Sequence, residues 1–326
     1  MTDKNLISVN NLVKHFPVPG KHKAIVHAVD DVSFAIKKGE TLGLVGESGC
    51  GKSTVAKSIV RMHNPTSGSI LFDSVDIAGL RERELRPYRK KMQMVFQDPY
   101  SSLNPRMTVL KLVAEPLIAQ GVVSKAKQAR DIIVEMLEKV GLTAEHTSRY
   151  PHEFSGGQRQ RISLARALIL EPEFIVCDEP ISALDVSIQA QVINLLQEFK
   201  HERSLTYLFI AHDLSMVRYV SDHVGVMYLG KMMEICDSEQ IYKSPLHPYT
   251  RGLHAAIPIA DPVSAKLKKD SAIEGDIPSP ISPPEGCRFH TRCRECMKIC
   301  REVEPELLDV GNNHQVACHL YSKGYS

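Results

Sequence analysis

The alternation of apolar and polar positions divides the chain into strand-sized and helix-sized stretches. Leu6-Ile7-Ser8-Val9, Ala24-Ile25-Val26-His27-Ala28-Val29 and Val32-Ser33-Phe34-Ala35-Ile36 predict short strands, the last closed by a Lys37-Lys38-Gly39 turn. The unbroken apolar run Thr41-Leu42-Gly43-Leu44-Val45 predicts a buried parallel strand. Val55, Ala56, Ile59 and Val60 then recur at helical spacing until Asn64-Pro65. Gly68-Ser69-Ile70-Leu71-Phe72 starts another strand; after a densely charged, mostly solvated stretch over 81–91, Met92-Gln93-Met94-Val95-Phe96 is a further one, ending at Gln97. These short strands flanking a parallel core predict a mixed sheet in an α/β chain.

Further on, Ile132, Ile133, Met136, Leu137 and Val140 form one helical face closed by Gly141 as a C-cap. Ser155 with Gln158 three residues on has the form of a capping box, opening a helix through Ile162, Leu164, Ala165, Leu168 and Ile169 that Glu171-Pro172 ends. Phe174-Ile175-Val176-Cys177 predicts a buried strand that delivers Asp178 and Glu179 at its C-terminal end. A helix from Ser187 to about Glu202 leads to the strand Thr206–Ile210, which ends at His212. Near Pro245 the character changes, and residues 258–286, rich in Pro, Ser and charge, read as a linker or an ordered wrap without regular structure.

Between the strand at 41–45 and its helix lies Gly46-Glu47-Ser48-Gly49-Cys50-Gly51-Lys52-Ser53-Thr54, which fits the phosphate-loop pattern G-x-x-x-x-G-K-[ST]. The glycines let successive backbone N–H groups point at one phosphate chain, and the helix N-terminus adds partial positive charge. Lys52 suits the β and γ phosphates and Ser53 suits Mg²⁺. A glycine turn with a helix cap is the bland alternative, and the strand and helix on either side favour the phosphate loop. The loop implies binding of a nucleoside triphosphate. Strand ends at Val45, Gln97, Asp178–Glu179 and His212 all deliver polar groups to the edge where open α/β sheets bind ligands.

Charge narrows the partners. Forty Lys and Arg against 38 Asp and Glu leave no basic field for nucleic acid or an anionic membrane surface. No apolar run approaches ~18 residues, and Met1-Thr2-Asp3-Lys4-Asn5 lacks a signal-peptide core. A cytosolic protein, docked on a membrane, is the expectation. Of eight cysteines, Cys50, Cys177 and Cys236 are scattered, while five lie between Cys287 and Cys318. In a reducing compartment such a cluster suggests metal rather than disulfides.

Taken together, these motifs resemble the ABC transporter ATP-binding subunit over roughly residues 6–250. The phosphate loop at 46–54, Gln97 as Q-loop, Phe154-Ser155-Gly156-Gly157-Gln158 as signature, Asp178–Glu179 as Walker B pair, Ser182-Ala183-Leu184-Asp185 as D-loop and His212 as switch histidine carry the resemblance. Phe154 is a mild apolar departure from the commoner Leu. The resemblance implies a phosphate-loop (RecA-like) ATPase core with an antiparallel β subdomain and a helical signature subdomain over about 100–170. It implies a nucleotide-binding domain over 1–250, and a linker with a small Cys-rich C-terminal extension over 251–326. ATP and Mg²⁺ are the implied ligands. Asp178 holds Mg²⁺ directly or through water, Glu179 is the general base, and Gln97 senses metal and water. His212 contacts the γ-phosphate and holds Glu179. A cap or salt-bridge Glu179, and a satisfied strand-end His212, are the alternatives. Phe16 falls where the family stacks an aromatic, more often Tyr, on adenine; a core phenylalanine is its alternative. In the family, Ser155 and Gly157 complete the site of a second subunit head to tail.

Two stretches narrow the subfamily to the di- and oligopeptide (and nickel) importers: Phe96–Arg106 and Ser244–Arg251. The tail resembles their C-terminal extension, whose cysteines, matched by Cys287, Cys293, Cys300 and Cys318, are associated with a [4Fe–4S] cluster. By residue chemistry four thiolates suit either Fe–S or Zn²⁺, or the tail carries no metal, and Cys296 is a fifth thiol able to replace Cys293 or Cys300. The resemblance implies an ATPase on the cytosolic face of two transmembrane permease subunits. It pairs with a second ATPase, usually a paralogue, while an external binding protein supplies peptide. A nickel or other small-solute importer is the alternative substrate reading. Soluble ABC ATPases of DNA repair or translation need a long coiled coil or two ATPase units in one chain, and this sequence has neither.

Overall fold

The computed structural model describes residues 4–20, 24–182, 184–256 and 273–322. Two long strands, β1 (Asn5–Pro17) and β2 (Ile25–Lys37), precede β3 (Thr41–Val45), which leads through the glycine loop into α1 (Lys52–Ile59). β4 (Ser67–Phe72), β5 (Val75–Asp76), α2 (Glu82–Lys91) and β6 (Met92–Val95) follow. A helical run comprises α3 (Pro99–Ser102), α4 (Val109–Ala119), α5 (Arg130–Lys139) and α6 (Gly156–Leu168). Then come β7 (Phe174–Asp178), α7 (Val186–Arg203), β8 (Thr206–Ile210), α8 (Leu214–Val217), β9 (His223–Tyr228) and β10 (Lys231–Asp237). The chain continues through α9 (Ser238–Lys243), α10 (Pro248–Ala255), β11 (Leu308–Asp309) and β12 (Gln315–Val316).

The chain divides into two compact units, one over 1–36, 41–78 and 209–326, the other over 37–40 and 79–208. The first contains two sheets. One is antiparallel, in the order β2-β1-β4-β5, with Ile7 opposite Phe72 and Val9 opposite Ile70. The early strands therefore make a sheet of their own instead of flanking the parallel core, as the apolar pattern suggested. The two predicted strands at 24–29 and 32–36 are one, because Asp31 takes φ 56° and absorbs the irregularity between them. In the other sheet of this unit the order is β11-β12-β10-β9-β3, with β3 and β9 parallel and Leu44 opposite Gly225. β3 is buried at all five positions, as its unbroken apolar run predicts.

The second unit carries β8, β7 and β6 in that order, with Met92 of β6 parallel to Phe174 of β7, together with helices α2 to α7. The charged stretch at 81–91 is a helix, α2, that buries only Leu85. Its polar faces and internal Pro87 hid the periodicity. α5 buries Ile133, Met136 and Leu137 and ends at Gly141 (φ 74°), but Ile132 is 55% exposed and lies off the predicted face. α1 stops at Ile59, short of Asn64-Pro65, because Arg61 turns left-handed at φ 55°.

Of the linker reading at 258–286, residues 257–272 lie outside the described residues, and 273–286 carry neither helix nor strand. Met1, Thr2, Asp3 and Ala183 also lie outside them. No described helix is long and apolar enough to cross a membrane. The C-terminal segment is part of the first unit: β12 pairs antiparallel with β10, placing Val316 opposite Glu234. Glu234 is fully buried, yet bonded to His314 Nε2 (2.6 Å) and to the backbone N–H groups of Leu246 (2.8 Å) and His247 (2.9 Å). Burial pushes this carboxyl up, but those bonds outweigh it and hold its pKa below the ordinary value. Removing it strands several buried donors. Glu234→Ala is expected to lower unfolding stability by about 3 kcal/mol in urea titration.

Candidate functional site

In the first unit β3 runs straight into the phosphate loop. The loop bends where only glycine fits. Gly46 (φ 150°) would drive a Cβ to 2.1 Å from the Met227 carbonyl, and Gly51 (φ 109°) to 2.2 Å from that of Ala28. Lys52 is 4% exposed and folds back over the loop, donating to the carbonyls of Gly46 (2.7 Å) and Glu47 (3.1 Å). The Cys50 thiol is buried at 3.7 Å from Lys52 Nζ. Burial raises its pKa against the lowering field of Lys52, so it is a neutral filler. Ser53 and Thr54 begin α1, and Ser48 and Gly49 (φ 79°) form the exposed crest of the loop. Ala211 donates its N–H to Leu44 (3.2 Å), which seats His212 beside the end of β3. Phe16 lies edge-on to His63 at 5.4 Å, with Lys14 Nζ 4.7 Å above its ring.

The second unit holds the carboxylates. Asp178 ends β7, buried, and Glu179 follows in the left-handed region at φ 49°, only 5% exposed. Gln97, just beyond β6, donates its side-chain amide to the Glu179 carboxylate. Ser182 bonds back to the Glu179 carbonyl through its hydroxyl (3.2 Å) and its N–H (3.3 Å). A mid-range φ above zero on a buried glutamate is strain that such bonds must hold.

The signature forms the predicted capping box: Gln158 N–H donates to Ser155 Oγ (3.3 Å), and Ser155 N–H to Gln158 Oε1 (3.1 Å). Gly156 and Gly157 open α6, and a Cβ on Gly157 would lie 2.5 Å from Ile188 Cγ2 on α7. Arg159 of the same helix lies 3.7 Å over the Tyr100 ring and donates to the Pro151 carbonyl (2.7 Å).

In the tail, Cys287 N–H bonds to the Cys300 carbonyl at 2.8 Å, so two of the predicted ligands are joined through backbone. Burial pushes Cys287 up to about 12, helped by the fields of Cys300, Cys318 and Cys293; burial likewise pushes Cys318 up to about 11, with Cys293 and Cys300 adding to it. Cys287, Cys293, Cys300 and Cys318 thus lie near enough for their charges to be felt by one another. Cys296 turns its Sγ to the Met297 carbonyl at 3.5 Å. Among the described residues no three of these sulfurs come within 4.8 Å of one another.

Two side-chain partners of the phosphate loop were invisible in the sequence pattern. Tyr249 Oη accepts the Glu47 N–H at 2.9 Å. Arg292 donates to both Glu47 carboxylate oxygens at 2.6 and 3.0 Å, and Tyr228 Oη lies 3.4 Å from the same guanidinium. Tyr249 and Arg292 stand within the stretches that carry the importer resemblance, but nothing local in the sequence marks them as loop partners. Nearby in the same unit, Asp30 accepts from His15, His27 (3.1 Å) and Arg288.

A family model described as ABC transporter matches residues 29–182, and one described as oligopeptide/dipeptide transporter, C-terminal region, matches residues 233–300. The putative oligopeptide transport ATP-binding protein YkfD of Bacillus subtilis is 53% identical over 316 residues, covering 97% of this chain and 95% of that protein. The oligopeptide transport ATP-binding protein AppF of the same bacterium is 50% identical over 324 residues, 98% of either chain. Among solved structures, the dimeric post-hydrolysis state of the ATP-binding cassette MJ0796 bound to ADP and Pi superposes with TM-score 0.65 at 29% identity. It covers 71% of this chain and 98% of that one. cbiO1 from Clostridium perfringens, part of the ABC transporter complex cbiONQ, superposes with TM-score 0.63 at 25% identity, covering 74% of this chain and 91% of that one. The chain belongs to the ABC transporter family, as an ATP-binding cassette that carries the C-terminal region of the oligopeptide/dipeptide transporters.

Gly157→Ala tests the packing beneath the signature. It is expected to destabilise the protein by about 1–2 kcal/mol through overpacking against Ile188, and Gly157→Ala/Ile188→Ala to recover most of that loss in thermal melts.

Proposed function

We infer that this chain is the ATP-hydrolysing subunit that powers import of di- or oligopeptides through a membrane ABC permease. The observation that carries this reading is one chain combining the cassette at 29–182 with the oligopeptide/dipeptide transporter region at 233–300. It is supported by full-length relatives named for oligopeptide transport. In this reading residues 1–250 are the nucleotide-binding domain, about 100–170 its helical subdomain, and 251–326 the extension.

The loop at 46–54 cradles the phosphates, Phe16 faces adenine, and Lys52 leaves the Gly46 and Glu47 carbonyls for the β and γ phosphates. Ser53, Asp178 and Gln97 would each offer oxygen to Mg²⁺, which would screen phosphate charge. Glu179 is the base for the attacking water, and its hydrogen bond from Gln97 holds that base in place until the site is filled. His212 steadies the γ-phosphate. Ser155, Gly156, Gly157 and Gln158 serve the nucleotide of a second, paralogous ATPase packed head to tail. Two permease subunits bind the pair at the cytoplasmic face of the membrane, and an external protein delivers peptide.

Cys287, Cys293, Cys300 and Cys318 fit a [4Fe–4S] cluster. Among the described residues no three of their sulfurs lie within 4.8 Å of one another, whereas four thiolates on tetrahedral Zn²⁺ with ~2.3 Å bonds stand about 3.8 Å apart. These cysteines would tie the loop-rich tail together through such a cluster.

Glu179→Gln is expected to cut ATP turnover by about 10²–10⁴-fold while nucleotide binding persists, measured by phosphate release and equilibrium titration. Unchanged turnover would remove Glu179 from its role. Anaerobically purified protein is expected to contain iron and sulfide. Cys287→Ser and Cys300→Ser lose them and Cys296→Ser keeps them; zinc in place of iron would overturn the cluster.

A further inference from the structure

We propose that Arg292 of the Cys-rich extension is a positioning residue for nucleotide binding, neutralising the one carboxylate built into the phosphate loop. Glu47 is the second residue of that loop. Its carboxylate belongs to the loop that would take a polyphosphate chain, and two anions near one another in a partly desolvated site repel strongly. The Arg292 guanidinium closes on Glu47 through two bonds, 2.6 and 3.0 Å, the fork geometry in which arginine holds a carboxylate most firmly. The arginine side chain is 5% exposed and the glutamate 24%, so solvent screens the pair poorly.

The extension is itself held against the loop's surroundings, so the arginine arrives in a fixed place. Phe289 packs on Tyr228 and Tyr249, both at 5.2 Å between ring centres. Tyr249 Oη takes the Glu47 N–H, so backbone and side chain of one residue are fixed from outside the loop. Arg288 donates to the Leu229 carbonyl and to Asp30. The next residue, Gly230, gives its N–H to the Cys50 carbonyl at 2.9 Å, also within the loop. Extension and phosphate loop therefore meet directly at Glu47 and, through the Leu229–Gly230 turn, at Cys50. A tail read from its cysteines as a structural appendage thus reaches the nucleotide cradle through a residue beside one of those cysteines.

This inference rests on residues 46–54 being the nucleotide cradle. The test is equilibrium titration of Mg·ATP into the full-length protein and its variants, with thermal melts of each. Arg292→Gln leaves the Glu47 carboxylate bare and is expected to raise the dissociation constant about tenfold or more. Arg292→Lys, which keeps the charge but loses the fork, is expected to bind more tightly than Arg292→Gln and more weakly than the unaltered protein. The deciding variant is Glu47→Gln/Arg292→Gln: with the repelling charge gone, affinity returns most of the way, which a merely structural arginine does not permit. An unchanged constant in Arg292→Gln, or a double variant as weak as Arg292→Gln, overturns the proposal. Lys52→Ala separates the two levels. Its retention of full affinity would remove the cradle reading and this inference with it, whereas failure at Arg292 alone leaves the cradle intact.

Discussion

The constraint on which the rest depends is the close approach of the phosphate loop to the carbonyls of Met227 and Ala28. Gly46 and Gly51 meet those oxygens at distances that no side chain permits. The curl of the loop is thus constrained by neighbouring strands β9 and β2. Lys52, buried and bonded to Gly46 and Glu47, keeps positive charge inside the curl. A cradle shaped by its neighbours spends little binding free energy on ordering itself.

A similar economy governs the carboxylate end. Glu179 sits in a backbone region unfavourable for a glutamate, and Gln97 and Ser182 hold it there. The bond from Gln97 ties the residue after β6 to the residue after β7, two adjacent parallel strands. Strand ends in register deliver groups that the chain separates by 82 positions to one hydrogen bond. Arg159 on Tyr100 then links the segment after Gln97 to the helix that the signature opens. Within this unit Glu179, its amide partner Gln97 and the helix opened by Ser155 form a connected set.

Much of this was legible in the residues. β3, β7 and β8 are buried throughout, and an unbroken apolar run states that directly. The capping box at Ser155 is a local interaction, so its four residues suffice to announce it. α2 was not legible, because a helix that buries only Leu85 has no apolar stripe to read. Ile132 misled for the opposite reason: an apolar residue on a solvated face is common and carries no signal. The separation of the early strands into a sheet of their own depends on pairing between β1 and β4, some sixty residues apart, which alternation does not encode. Tyr249 and Arg292 belong to the same class. Their link to Glu47 spans 202 and 245 positions and exists only after β9, β10 and the extension have packed.

The central claim is that the loop is held in its anion-binding shape from outside, without nucleotide. Hydrogen exchange at the Glu47 amide, read by NMR in the nucleotide-free protein, tests it most directly. The account predicts slow exchange there, accelerated many-fold in Tyr249→Phe, whose ring lacks the accepting oxygen. Exchange at the solvent rate in the unaltered, nucleotide-free protein would contradict it.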